Sequence, residues 1–378
     1  MRHLYLAATG QNRGKTTAAL GLLDGFIGRG LRTGFMKPVG QRTVIDDGEP
    51  ADEDAVLMKA VFGLRESYRA MSPVHIPRGF TKAYIAGEVV EDLGQRVRDA
   101  HATFADHDIV LIEGTGHAGV GAVIGLSNAT VAALLGAPAI IISEGGVGRP
   151  IDEIVLNAAL FGRHGVEVAG AIVNKVDLAA QPALGSVLAR GLAPYGIPLL
   201  GVLPVKPILS NPTIGMILEG VHGETLHAGP DLDRVIDGVA IGAMEPQHML
   251  ERVGPDTLVI VPGDREDVIL TLTSAHGRRG GGLAEGSAGR DADRDGAACL
   301  GLVLTGGYRP GAAVLRAIRE ADLFATLVPE DTYHVASAVH DLLVKTHPAD
   351  REKIALIKTL VAGNLDVDRI LEAARPAP

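Results

Sequence analysis

Short apolar runs separated by longer amphipathic stretches make up most of the chain. Residues 4–8, 33–36, 109–112, 139–142, 168–173 and 199–202 are the strand candidates of the first half, and 15–29, 130–135 and 152–163 have helical patterns between them. Strands joined by helical crossovers predict a doubly wound, mostly parallel α/β sheet covered on both faces. In such sheets ligands collect at the carboxyl ends of the strands, where the loops gather.

Residues 211–233 are rich in Gly, Pro and His and carry only a weak helical pattern, so a domain boundary is placed there, giving domains 1–220 and 221–378. A second, smaller α/β pattern follows, with helices expected at 244–252, 266–274, 312–320 and 332–343 and strands at 257–261 and 299–304. Residues 276–298 are loaded with Gly, Arg, Asp and Ala and have no apolar period, which predicts a flexible insert within the second domain. No internal repeat is present.

Composition narrows the picture. A chain of 378 residues with 47% apolar positions can bury two cores. It has no Trp, six Tyr, seven Phe and a net charge of −10, a composition that argues against stacking on bases or binding a phosphate backbone; no nucleic-acid partner is expected. Cys299 is the sole cysteine, so an internal disulfide or a thiolate metal site is excluded and a reducing cytoplasm is expected. The opening apolar run stops at Ala8 before a glycine-rich turn, which suits a buried strand better than a signal peptide. No apolar stretch approaches the roughly 20 residues of a membrane span, so no membrane association is expected.

The strongest chemical signal is Thr9-Gly10-Gln11-Asn12-Arg13-Gly14-Lys15-Thr16-Thr17, between an expected strand and an expected helix. Glycines let backbone N–H groups curl around phosphate oxygens, and the helix N-terminus adds its dipole. In this pattern Lys15 serves the β- and γ-phosphates and the Thr16 hydroxyl a Mg²⁺ ion, while Thr9 stands where the simple pattern has glycine. Asp54 and Glu113 are hard oxygen ligands from two further loops, suited to Mg²⁺ that bridges phosphates; Asp52 and Glu53 leave the choice of ligand open by a residue or two. Lys37 follows the second strand and is placed to neutralise charge on a transferred phosphoryl group. Asn174 and Asp177 carry groups suited to hydrogen-bonding an adenine or guanine edge, and the stem of Lys175 is suited to packing along the ring.

With Lys37-Pro38-Val39, Asp54-Ala55-Val56, Ile112-Glu113-Gly114-Thr115-Gly116 and Asn174-Lys175-Val176-Asp177 following the phosphate loop in order, residues 1–220 resemble the dethiobiotin synthetase family. The resemblance implies ATP, or another nucleoside triphosphate, with Mg²⁺, and a homodimer. Two departures stand out. His117 replaces a small residue, and 72–98 lacks the residues expected to hold a diamino-acid substrate. Asn174-Lys175-Val176-Asp177 also resembles the guanine-reading pattern of small GTPases.

Residues 235–333 resemble the DRTGG domain through Ile241-Gly242-Ala243-Met244, Val261-Pro262-Gly263-Asp264-Arg265 and Leu304-Thr305-Gly306-Gly307. Asp264-Arg265 beside the Thr-Gly-Gly turn reads either as a small-anion pocket or as a fold-stabilising ion pair. The two resemblances together form the N-terminal architecture of the long bacterial phosphate acetyltransferases, whose acetyl-transfer chemistry lies in a further domain; acetyltransferase activity is therefore not expected. Two functions remain open on the sequence: a nucleotide-binding regulatory protein that senses a metabolite and transfers phosphoryl groups slowly, or an ATP-dependent ligase that activates a carboxylate or carbamate.

Overall fold

The computed structural model describes all residues except 230, 281–298, 341, 343–344 and 377–378, and does not describe the side chains of 277–280. The chain divides into two compact units, Met1–Lys206 with Thr346–Pro378, and Pro207–Lys345.

In the first unit the elements that position the site are β1 (Arg2–Ala8), α1 (Lys15–Ile27), β2 (Thr33–Met36), α2 (Glu53–Phe62), β3 (Ile109–Glu113), α3 (Asn128–Leu135), β4 (Ala139–Glu144), β5 (Val168–Val176) and β6 (Leu199–Pro204). The strands form a parallel sheet in the order β6-β5-β4-β1-β3-β2, with Arg375–Pro376 added antiparallel at the start of β1. All five residues of β3, Glu113 included, are buried. Such continuous burial is what a parallel strand covered on both faces requires, and it explains why these strands read as unbroken apolar runs. Leu6 pairs with Glu113 and Glu144 with Asn174, so β1, β3, β4 and β5 deliver their carboxyl ends to one edge.

The expected boundary at 220/221 is corrected in two ways. Residues 207–220 belong to the second unit, and 346–378 return to the first. The physical reason for the return lies on α1, which is apolar on more than the side that meets the sheet. Its outer side is covered by the helix Arg351–Asn364: a Cβ on Gly21 would lie 2.3 Å from Val361, and Lys358 pairs with Asp24 at 2.8 Å. Periodicity shows that a helix needs a cover but not which distant helix supplies it. A hairpin of Thr43–Asp46 and Glu49–Asp52, turning through Asp47 and Gly48 at positive φ, was also not expected from the sequence.

The second unit carries β7 (Glu224–His227), β8 (Gly238–Ile241), β9 (Thr257–Pro262), β10 (Gly301–Thr305) and β11 (Phe324–Leu327), ordered β7-β11-β10-β9-β8 and parallel except at β7–β11. Alternate residues of β9 feed two cores. Val259 and Val261 pack with Val268, Leu272 and Val314, while Leu258 and Ile260 pack with Ile217, Val335 and Val339. The weakly patterned 211–233 holds the helix Ile214–Val221 and β7. The helix expected at 244–252 shortens to Pro246–Leu250, and the one from Glu266 runs to Gly280, past its expected end. Residues 281–298 of the expected insert lie outside the described residues. Among the described residues no helix is long and apolar enough to cross a membrane.

Candidate functional site

The turn between β1 and α1 has the backbone its sequence asks for. Asn12 and Gly14 lie at φ 57° and 93°, the left-handed region. Gly14 is required there twice over, because a Cβ would also sit 1.9 Å from the amide nitrogen of Asn174. Gln11 and Asn12 are exposed, Arg13, Gly14, Thr16 and Thr17 are partly buried, and Lys15 is buried, its Nζ 3.4 Å from the carbonyl of Gly10. α1 begins directly after Gly14 with no acidic residue in its first turn, so its dipole faces the loop uncompensated from within the helix. Thr9, the departure from the simple motif, donates its N–H to Ile142 and pairs its hydroxyl with Ser143, which ties the loop to β4.

A charged cluster stands beside Thr16. Its hydroxyl lies 3.1 Å from Asp54 Oδ1 and 3.2 Å from Glu113 Oε1. Lys37 Nζ donates to Asp54 Oδ2 at 2.6 Å and to Glu113 Oε1 at 2.8 Å. Burial works against the charge of Lys37, but Asp54, Glu113 and Asp52 outweigh it and hold the ammonium above its ordinary range. Burial pushes the Glu113 carboxyl up to about 7, against the pull of Lys37. The acidic run also sorts itself out. Asp52 caps α2 by accepting the N–H of Asp54 at 3.0 Å, and it is Asp54 whose carboxylate meets Thr16 and Lys37.

The cluster fits Mg²⁺ on an observation of its own: Glu113 Oε2 is buried with no hydrogen-bond partner, next to a carboxylate and a hydroxyl from two other elements. Among the described residues no three His, Cys, Asp or Glu side chains gather into a metal cage. Mg²⁺ needs none where phosphates and water complete its shell.

At the end of β5, Asn174 Nδ2 donates to the carbonyl of Arg13 at 3.1 Å and Lys175 Nζ to that of Asn12 at 2.9 Å. Asp177 is exposed, and its Oδ1 accepts the N–H of Ala180 at 3.0 Å. The structure thus brings the phosphate loop, Lys37, Asp54, Glu113, Asn174 and Lys175 into one continuous set of contacts, with Asp177 three residues beyond Asn174.

Two residues of this set escaped the sequence reading. Glu144 forms ion pairs with Arg13 and, at 3.2 Å, with Lys175. Asn128, at the start of α3, accepts from Tyr5 and from the N–H of Thr115, and donates to the carbonyls of Thr115 and His117, so it shapes the loop after Glu113. A lone Glu at a strand end was the available signal for the first; nothing local marks the second. His117 is a loop histidine whose Nδ1 accepts from Gly119. In the second unit Arg265 pairs with Asp267 and donates to the carbonyl of Met244.

A doubly wound sheet with a glycine-rich loop leading into a helix, beside a lysine-bridged carboxylate pair, defines a P-loop class of fold. The family model described as an AAA domain matches residues 2–213, and the chain belongs to that family. A DRTGG domain model matches residues 216–342. Curated relatives include phosphate acetyltransferases of Pseudomonas putida, 28% identical over 97% of this chain and 51% of that protein, and of Escherichia coli, 22% identical over 98% and 52%. The chain therefore spans about half the length of the curated relatives it matches. Among solved structures, the MinD cell division protein of Aquifex aeolicus is 14% identical, covering 55% of this chain and 84% of that one at a TM-score of 0.35. The CBS and DRTGG domains of the Clostridium perfringens pyrophosphatase regulatory region are 13% identical, covering 44% and 78% at 0.28.

Proposed function

We propose that the first unit binds a Mg²⁺–nucleoside triphosphate in the manner of the dethiobiotin synthetase-like proteins, and that the chain serves a regulatory role with slow phosphoryl-transfer capability. The observation that carries the reading is the convergence of Thr16, Asp54, Glu113 and Lys37 beside the phosphate loop. Loop N–H groups and Lys15 would hold the phosphates. Thr16, Asp54 and Glu113 would hold Mg²⁺, which when bound supplies charge neutralisation on the phosphates. Lys37 now acts as the cation between the two carboxylates. A metal taking that role would release its ammonium toward the terminal phosphoryl group, where it would stabilise developing charge.

The regulatory reading rests on the company the fold keeps. The chain carries this site together with a DRTGG-type unit, and over nearly its whole length it aligns with about half of relatives named phosphate acetyltransferases. We propose that nucleotide binding tunes such an activity, or the response to a small metabolite, and that the unit dimerises as the synthetase resemblance implies.

Nucleotide binding measured with Mg²⁺ and with EDTA, beside Glu113→Gln and Asp54→Asn, tests the site. The expected result is tighter binding with Mg²⁺ in the native chain and a Mg²⁺ response cut at least about tenfold in each variant, since a charged contact contributes roughly 1.5–3 kcal/mol. Binding indifferent to Mg²⁺ in the native chain would remove the metal from the account.

A further inference from the structure

We propose that the loop after β5 selects guanine, so that the nucleotide of the first unit is a guanosine phosphate; this rests on the nucleotide-site reading above and names its base. Three observations carry it. First, Asn174 and Lys175 are strapped to the phosphate loop through the carbonyls of Arg13 and Asn12, and Gly14 packs so closely on the Asn174 amide that no Cβ fits between them. The base loop and the phosphate loop are therefore one rigid piece, with a set distance from phosphates to base. Second, Lys175 sits in the left-handed region at φ 55°, and its side chain runs from the strand end to the carbonyl of Asn12 and to Glu144, laying its aliphatic stem across the loop. That stem offers a flat apolar face to a purine ring.

The third observation is the chemical type two positions beyond Lys175. Asp177 is exposed, and its backbone carbonyl accepts Gln181 N–H while its Oδ1 accepts Ala180 N–H, which fixes the turn that carries the carboxylate. An ionised carboxylate only accepts hydrogen bonds. Guanine presents two adjacent donors on its pairing edge, N1–H and the 2-amino group, and a carboxylate can take both. Adenine presents the lone pair of N1 beside a single amino group, so the same carboxylate would face it acceptor to acceptor. Uracil shows one N–H between two carbonyls, and cytosine one amino group beside two acceptors. A site with an acceptor pair at this place therefore rejects every common base but guanine, by leaving groups unpaired or opposed.

Calorimetric titration of the full chain with the non-hydrolysable analogues of GTP, ATP and xanthosine triphosphate, each with Mg²⁺, tests the assignment, beside Asp177→Asn. Native protein is expected to bind the guanine analogue at least tenfold more tightly than the adenine one. Asp177→Asn is expected to lose that preference and gain the xanthine analogue, whose 2-carbonyl accepts from the new amide. The exposed position of residue 177 leaves the fold intact, which a thermal melt of the variant checks. Equal or tighter binding of the adenine analogue by the native chain overturns the guanine assignment while leaving the nucleotide site standing. Absence of binding by all three overturns both.

Discussion

Lys37 stands between the two carboxylates of the site, within hydrogen-bond distance of both. It is 4% exposed and is the ammonium that neutralises Glu113, which is fully buried, and Asp54. Removing one partner of such a buried pair costs roughly 3–5 kcal/mol because the other charge is left behind. Lys37→Met is accordingly expected to lower the melting temperature, and added Mg²⁺ to recover more of it in the variant than it adds to the native protein. Equal Mg²⁺ effects on the two melts would mean that no metal takes the place of the ammonium. A second residue-scale expectation concerns His3 and His101, whose rings meet in the core with Nδ1 and Nε2 3.4 Å apart. Burial pushes His101 down to about 4 from 6.5 and lowers His3 as well. Between those values the unfolded chain binds protons on these rings that the folded chain does not, so their contribution to stability is full above pH 6.5 and is lost as the pH drops toward 4. Glu113, raised to about 7, acts with the opposite sign over this range, so the test is the difference between proteins. From pH 7.5 to 5 the urea midpoint of His101→Leu should lose less, or gain more, than that of the native chain, and an equal pH response in both assigns the effect elsewhere.

At the scale of elements, the strand–turn–helix at the N-terminus was legible because each part has its own local mark: an apolar run, glycines at the loop, an uninterrupted helix after Lys15. The same holds for Glu113, a carboxylate ending an apolar strand, and for Lys37 after β2. What stayed hidden depends on contacts distant in sequence. Asn128 reaches Tyr5 across 123 residues, Val361 lies over Gly21, and Glu144 finds Arg13 only once β4 is beside β1. The short strands Glu224–His227 and Gly238–Ile241 lie at the sheet edges and are only partly buried, so they lack the apolar run that marked the central ones. Gly14→Ala tests the link between the two site loops. An alanine there would have to adopt a positive φ that L residues disfavour, and its methyl would collide with Asn174, a strain of about 1–3 kcal/mol. We expect nucleotide affinity to drop with the melting temperature. Native-like affinity would show that the loops adjust independently of one another.

At the scale of the whole molecule, the division into Met1–Lys206 with Thr346–Pro378 and Pro207–Lys345 makes the second unit an insertion between the parts of the first. The returning segment buries Ile357, Leu360, Val361, Ile370 and Leu371. At about 1.5–3 kcal/mol for each side chain, that burial rivals the ~5–15 kcal/mol of net stability typical of a domain. A chain ending at Lys345 should therefore lose the cooperative melt of its nucleotide-site unit and expose α1. Circular dichroism melts of the two lengths check this, and an unaltered transition would show that the C-terminal helices are dispensable. Composition at this scale set expectations about partner classes, through charge and sparse aromatics. It carried no mark of the chain's return, because a terminal amphipathic helix fits either sheet equally well on pattern alone.

The central claim is that the β1–α1 loop holds the phosphates of a nucleotide. Calorimetric titration of the native chain and of Lys15→Ala with a non-hydrolysable nucleoside triphosphate and Mg²⁺ tests it most directly. The account expects saturable one-site binding by the native protein, weakened roughly 10- to 150-fold by loss of the lysine charge. Equal affinity in both proteins, or no heat of binding in either, would contradict it.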